Sequence, residues 1–323
     1  MMLLKKFKLS ALAVVLGMSA AGTALAQDKF VAITAIVEHP ALDAVRDGVI
    51  KQLEKDGFAE GKNLKVKYQS AQGNTGTAAQ IARQFIGEKP DAIVAIGTPS
   101  AQAVVAATKT IPVVFAAITD PVAAQLVKAK EPSGTNVTGV SDVLELEPQI
   151  NLIKQVVPNV KKVGVVYNPG EANSAVVVKQ LKEMLAAQNI DLVEASAPRS
   201  VDVSSAARSL IGKVDAIYTT TDNNVVSAYE ALVKVGNEAD IPLIASDTSS
   251  VERGAIAALG LNYFNIGEQS GAIVSRVFKG ENPGTIAFET SKNLSLHINK
   301  KAAAEQGVTL NDELVKTAEK VFE

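Results

Sequence analysis

The chain has 323 residues, 47% hydrophobic and 20% charged, with a formal net charge of −2 and no cysteine. That length favours two domains of ordinary size, and the composition suits a soluble protein with a full core. The missing cysteine excludes disulfides, thiolate nucleophiles, Cys-ligated zinc and a lipidated N-terminal cysteine, while the mildly acidic balance disfavours nucleic acid and anionic lipid as partners.

The first 26 residues read as a signal peptide. Lys5, Lys6 and Lys8 form a basic start, Leu9 to Met18 a short apolar run, and Ala24-Leu25-Ala26 a small-x-small cleavage site before Gln27. The apolar run is short for a membrane span of ~20 residues, and no later stretch reaches ~18. Cleavage takes three of the 32 basic residues and none of the 34 acidic ones, leaving 29 against 34. The expected product is exported to the periplasm, with no membrane insertion of the mature chain.

From Phe30 onward, apolar strands alternate with helical patterns. Phe30–Val37 is an apolar run. A helix is predicted from Pro40, with Leu42, Val45, Val49 and Leu53 on one face and Gly57 as its stop. Such alternation indicates parallel sheets covered by helices on both faces. The pattern then repeats in order, roughly 125–130 residues later. Lys51-Gln52-Leu53 returns as Lys179-Gln180-Leu181, Ala82–Gly87 as Ala207–Gly212, Asp91-Ala92-Ile93 as Asp215-Ala216-Ile217, and Ile111-Pro112-Val113 as Ile241-Pro242-Leu243. The fold class is therefore α/β, with two similar Rossmann-like, doubly wound lobes.

Asn136–Val140 is the predicted crossover strand. Ala255–Leu261 leads back to the first lobe, where Asn262 to Gly280 forms a helix, and the chain from about Asn293 returns to the second. The expected division is 28–140 plus 262–290 for lobe one and 141–261 plus 291–323 for lobe two. Repeated crossings make a hinge rather than a loose tether.

In open parallel sheets, ligands bind beyond the carboxyl ends of the strands. The polar residues expected there are Thr98, Ser100 and Asp120 in lobe one, Ser141 and Asp142 at the crossover, and Asn168, Thr221, Asp222, Asn223 and Asp247 in lobe two. Plain helix capping is the competing explanation for each of them. Taken together they point to a cleft.

Four of these residues are aspartates, and Arg199 is the one basic residue in the neighbouring strand-end segments. A phosphate or dicarboxylate would call for Arg or Lys. Hydroxyls and helix N-termini beside carboxylates suggest a zwitterion instead. An α-amino acid would place its carboxylate on Thr98, Ser100 or a helix N-terminus and its ammonium on Asp222 or Asp247. A sugar is less expected, because the chain lacks Trp and is only 4% aromatic. Phe115, Tyr167, Tyr218, Tyr263 and Phe264 are the aromatic candidates near the cleft, each more readily explained as core or surface. His39 reads somewhat better as a satisfied loop residue than as a ligand contact.

Several segments carry a family resemblance. Val37 to Asp43, Gly97 to Gln102, Ile118 to Pro121, Gly139 to Asp142, Tyr167 to Pro169, Thr221 to Asn223 and Ala245 to Asp247 resemble, in order, the ABC-transporter substrate-binding proteins of the tryptophan/tyrosine type. The likeness covers about Asp28 to Val308. It implies the type I periplasmic binding protein fold, a Venus flytrap with a three-segment hinge. It also implies a small-molecule ligand, an amino acid with an aromatic or branched side chain, a permease partner, no cofactor and no catalysis. A monomer is the default for a carrier that docks on a permease. Binding would proceed by hinge closure, the ligand touching both lobes only in the closed form.

Two rivals remain. An enzyme would need more than two distant histidines, and the chain has no nucleophile elbow, P-loop, zinc helix or dinucleotide motif; paired carboxylates are its one route. A ligand-binding sensory protein for a periplasmic receptor would share the fold, as would a carrier of a non-amino-acid solute.

Overall fold

The computed structural model describes residues 28–323. The signal-peptide reading of residues 1–26 lies outside them.

The first half runs β1 (Lys29–Ala35), α1 (Pro40–Lys55), β2 (Leu64–Ser70), α2 (Thr75–Glu88), β3 (Ala92–Ile96), α3 (Thr98–Ala107), β4 (Val113–Ile118) and β5 (Val137–Ser141). The second runs α4 (Leu146–Val156), β6 (Lys162–Tyr167), α5 (Ala172–Ala186), β7 (Asp191–Ser196), α6 (Val203–Arg208), β8 (Ala216–Thr219), α7 (Asn223–Ser227), α8 (Tyr229–Ala239), β9 (Leu243–Ala245), α9 (Ser249–Glu252) and β10 (Ala257–Leu261). The chain closes with α10 (Tyr263–Phe278), β11 (Glu289–Thr290), β12 (Leu294–Asn299), α11 (Lys300–Glu305), α12 (Asp312–Thr317) and β13 (Lys320–Phe322).

Two sheets result. One has the order β11-β5-β4-β3-β1-β2, the other β13-β12-β10-β9-β8-β6-β7. Stripped of their last strands, both follow the same doubly wound order, with the first strand between the second and third. The chain passes between the sheets after Ser141, after Leu261 and after Thr290. β1, β3 and β4 are buried almost throughout, as the unbroken apolar runs require.

The internal repeat has a structural counterpart. Asp91 Oδ2 accepts the backbone N–H of Phe30 at 2.8 Å. Asp215 Oδ2 accepts those of Lys161 and Lys162 at 2.7 and 2.8 Å. Each aspartate thus pins the start of its lobe's first strand. Likewise Pro112 and Pro242 each offer a carbonyl to the matching residue of the preceding strand, Ile93 and Ile217, at 2.9 Å in both lobes.

The returning helix α10 packs on α1 backbone to backbone. A Cβ on Gly48 would lie 2.2 Å from the Phe264 carbonyl oxygen, and one on Gly267 would lie 2.2 Å from that of Val45. Only glycine permits this approach, so residues distant in sequence share one layer. Asn262, expected inside the helix, caps it by accepting the N–H of Asn265.

One predicted helix is divided. The spacing of Val225, Tyr229, Leu232 and Gly236 suggests a continuous helix, but the backbone breaks at Ala228 (φ −112°, ψ 30°) between α7 and α8. Apolar periodicity continues across the break because Val225, Tyr229 and Leu232 all remain in the core.

Candidate functional site

The ends of β1, β3 and β4 face the ends of β8 and β9 across the two sheets, and between them lies a narrow cavity of about 340 Å3 with its open mouth included. It is lined by His39, Ala41, Leu42, Thr98, Ala117 and Thr119 from the first sheet's side. Asn173, Thr221, Asn223, Val226 and Asp247 line it from the second, with Asp142 and Tyr263 from two crossings. A second space of about 260 Å3 adjoins it, sharing Thr119, Asp142 and Thr221 and adding Leu144, Leu146, Val177 and Tyr218.

Of the residues expected at the site, Thr98, Asp142, Thr221, Asn223 and Asp247 line the main cavity. Five do not. Asp120 accepts the N–H groups of Val122 and Ala123 and caps a turn. Asn168 accepts that of Gly170. Ser141 donates to the Thr119 carbonyl. Ser100 is fully buried behind Thr98, its hydroxyl without a partner. Asp222 is also fully buried, its oxygens taken by Asn168 N, Ser174 Oγ and Val225 N at 2.6–3.0 Å. Capping was the competing reading for these residues, and it describes Asp120, Asn168 and Asp222. Asp222 is thus turned into lobe two and is absent from the cavity lining, whereas Asp247 lies on it.

Two carboxylates remain in the cavity. Asp247 accepts from Ser249 Oγ, Ser250 N and Ser250 Oγ. Asp142 accepts from Thr119 Oγ1 at 3.2 Å and from Tyr263 Oη at 2.9 Å; burial raises its pKa above the ordinary carboxyl value. The Tyr263 contact joins the first and second crossings. Replacing Tyr263 by Phe removes a donor from a buried carboxyl and should cost about 1–3 kcal/mol of stability, read by urea unfolding. A loss below about 0.5 kcal/mol, inside ordinary surface effects, would mean that the pair does not fasten the hinge.

Among the described residues, no Lys or Arg lines the cavity. Arg199 pairs with Asp202 at 2.8 Å on the exposed surface. Arg253 is held by Glu230 and by the Val226 carbonyl. His39 departs from the satisfied-loop expectation: it is 8% exposed and its Nδ1 has no partner. Burial lowers its pKa to about 4, so the imidazole is neutral at neutral pH.

Lobe one contributes an opening for negative charge. Pro99 has no N–H, Gly97 precedes α3 at φ 82°, and the N–H groups of Thr98 and Ser100 lie in the first turn, where helices lack internal partners. Ala117, at φ 55°, sits where the β4–β5 register shifts between Ala116 and Ile118. This bulge turns the end of β4 toward the cavity. A hydrogen bond between the hydroxyls of Thr119 and Thr221 at 3.3 Å crosses the cleft there.

Sequence reasoning missed Glu171. It is 4% exposed, and its Oε2 accepts Asn173 Nδ2, Asn223 N and Asn223 Nδ2 at 3.2, 3.2 and 2.6 Å. Burial, reinforced by Asp222, pushes its carboxyl up to about 7. Its position after Pro169-Gly170 at a helix start was the available signal. An acid there ordinarily reads as a solvated charge favouring the helix dipole. Of the five aromatic candidates, Tyr263 lines the main cavity and Tyr218 the adjoining one. Phe115 is core, Tyr167 bonds Glu194, and Phe264 lies in the groove behind the hinge.

Among the described residues, no helix is long and apolar enough to cross a membrane.

Comparison with known proteins agrees with this architecture. The family described as ABC transporter substrate binding protein matches residues 30–322. A curated relative, the tyrosine-binding protein of Clostridioides difficile strain R20291, is 41% identical over 274 residues, 85% of this chain and 79% of that protein. The structure of an ABC domain in complex with L-Trp from Streptococcus pneumonia has a TM-score of 0.88 at 31% identity, covering 92% of this chain and 100% of that one. The ligand-free, open structure of a substrate binding protein with adhesive properties from Clostridium difficile has a TM-score of 0.68 at 39% identity, covering 91% and 99%. With its two doubly wound lobes, three crossings and interlobe cavity, the chain belongs to the ABC transporter substrate-binding proteins.

Proposed function

We propose that this protein is a periplasmic, non-enzymatic carrier that closes around one α-amino acid with an aromatic side chain and presents it to an ABC permease. The lobes comprise 28–140 plus 262–290 and 141–261 plus 291–323, and export removes the signal peptide after Ala26. The observation that carries the ligand class is the cavity's chemistry: two carboxylates, a neutral imidazole and amide and hydroxyl groups, with no cationic side chain in its lining among the described residues. A dicarboxylate or phosphate would meet repulsion there. A zwitterion finds Asp247 and Asp142 for its ammonium and the first turn of α3 for its carboxylate. Leu144, Leu146, Val177 and Tyr218 supply an apolar wall for a side chain. The relative named for tyrosine binding and the neighbour holding L-Trp support the same class.

The lobes stand in a closed arrangement. The structure is nearer in shape to the L-Trp complex than to the ligand-free, open protein, although its identity to the latter is higher. A closed lobe angle is the reading this inversion favours, because the more distant sequence is the nearer shape. Closure brings Thr119 to Thr221 and encloses the ligand between lobes that the open form holds apart.

A thermal-shift screen of residues 27–323, unfolded and refolded to strip bound solute, tests the class. At 100 times its dissociation constant a ligand adds about 2.7 kcal/mol. L-Tyrosine or L-tryptophan should raise the melting temperature, while myo-inositol, polyamines and succinate leave it unchanged. A shift with any of those three and with no amino acid would overturn the assignment.

A further inference from the structure

We propose that Glu171 is a positioning residue that turns the amide oxygens of Asn173 and Asn223 toward the ligand, so that both amides on lobe two's wall of the cleft present acceptors and select a solute bearing an ammonium. This rests on the amino-acid reading above and adds the group that enforces it.

An asparagine amide has a donor end and an acceptor end of nearly equal size, so either can face a ligand unless something fixes the choice. Here one carboxylate oxygen makes the choice for two of them. Glu171 Oε2 accepts the Nδ2 groups of both Asn173 and Asn223, and the backbone N–H of Asn223 as well. The Asn173 amide is further committed by donating to the Thr221 carbonyl at 3.1 Å. Both donor ends are thereby turned inward.

The opposite ends look out of lobe two. Asn173 is 4% exposed, lines the cavity, and its Oδ1 has no hydrogen-bond partner. A buried, unpaired acceptor is costly, and it stands where a ligand's N–H would satisfy it. Asn223 Oδ1 faces the other lobe, 3.5 Å from where a Cβ on Gly97 would sit. Two amide oxygens therefore stand on the same wall of the cleft as Asp247. A carboxylate or carbonyl brought to these two amides would find no donor end to bond, and the Thr221 hydroxyl on the same wall is already engaged with Thr119.

The orientation depends on the charge state of Glu171. A protonated carboxyl can donate to an amide oxygen, which allows one asparagine to turn its NH2 toward the cleft. The groups around Glu171 are few. Asp222 stands beside it, its oxygens held by Ser174, Asn168 and Val225; Asn173 and Asn223 bond it directly. The charged cavity groups beyond them are Asp247 and Asp142, with neutral His39. Burial and Asp222 raise the Glu171 carboxyl to about 7. A bound ammonium favours the charged form and lowers that value, so binding releases a proton and affinity rises with pH. If the value drops by one unit on binding, the affinity rises roughly fivefold between pH 6 and 8. The α-groups of the amino acid do not change charge in that interval, and His39, at about 4, is already neutral.

The test is calorimetric titration of the refolded 27–323 chain with L-tyrosine and with 3-(4-hydroxyphenyl)propionate, which lacks only the ammonium, across pH 6–8. The wild type should bind tyrosine several-fold more tightly at pH 8 than at pH 6 and bind the des-amino acid measurably but at least about 100-fold more weakly, near 2.7 kcal/mol. Glu171→Gln should weaken tyrosine about tenfold at pH 8, the equivalent of one pKa unit of interaction. It should also abolish the pH dependence and narrow the gap between the two probes. Merely structural damage would weaken both probes alike. If the wild type binds tyrosine with an affinity flat over pH 6–8, or if E171Q keeps the full discrimination between the probes, the role of Glu171 is overturned while the amino-acid reading stands. If neither L-tyrosine nor L-tryptophan binds the wild type, the amino-acid reading falls, and this proposal with it. The wild-type pH profile requires no variant, so a flat profile overturns the role even should E171Q fail to fold, while Asp222 and Asp142, whose carboxyls burial also raises, make the E171Q profile the one that assigns a rise to Glu171.

Discussion

Asp247→Asn is expected to weaken binding of L-tyrosine and L-tryptophan by about 100-fold, near 2.7 kcal/mol, with little change in the melting temperature of the ligand-free protein. Asp247 lies at the end of β9, 1% exposed, on the cavity wall opposite Thr98. Its side chain is fixed by Ser249 and by both the hydroxyl and N–H of Ser250. It is thus presented to a ligand in one orientation, with no rotamer entropy left to lose on binding. An ammonium between it and the neutral His39 gains a charge-assisted hydrogen bond in a site closed to water. Asparagine keeps one acceptor, for the Ser249 hydroxyl and the Ser250 N–H, and offers an amide donor to the Ser250 hydroxyl oxygen, but it removes the charge, so ligand affinity should fall far more than stability. Titration calorimetry on both proteins reads this directly. An affinity within about threefold of the wild type, below 0.7 kcal/mol, would move the ammonium off Asp247.

Gly267→Val is expected to destabilise the protein by about 3 kcal/mol or more, the upper range for forcing a larger side chain into a packed contact. Even a Cβ there meets the Val45 carbonyl oxygen at 2.2 Å and Gly48 Cα at 2.9 Å. Both are backbone atoms of α1 and cannot rotate aside. The helices would have to separate, opening the apolar layer that Ile266, Ile273 and Val274 share with Val45, Val49 and Leu53. Urea unfolding measures the loss. A change under 1 kcal/mol would mean that α10 is not packed on α1 as described.

Much of this architecture could be read from the chain because its strands are buried on both faces and its helices amphipathic. The duplication was legible for a related reason. Asp91 and Asp215 do the same work at the same place, as do Pro112 and Pro242, so local geometry keeps those words alike in both halves. The cleft was legible at the level of segments, since strand ends follow from topology. Individual side chains were harder. Asp120 and Asp142 both follow strands of the first sheet within two residues, yet one caps a turn and the other faces the cavity. That difference depends on the bulge at Ala117 and on Tyr263, which arrives from 121 residues away. Glu171 was invisible for the same reason: its partners Asn223 and Asp222 lie about fifty residues along, and only the fold makes its charge a buried one.

The most direct test is small-angle scattering of the stripped, refolded 27–323 chain, alone and saturated with L-tyrosine or L-tryptophan. A carrier that closes around an amino acid should contract on adding one of them, reaching the scattering profile of the arrangement described here, and should not respond to myo-inositol. A profile unchanged by every amino acid, or contraction with a neutral polyol instead, would contradict capture of an amino acid by hinge closure.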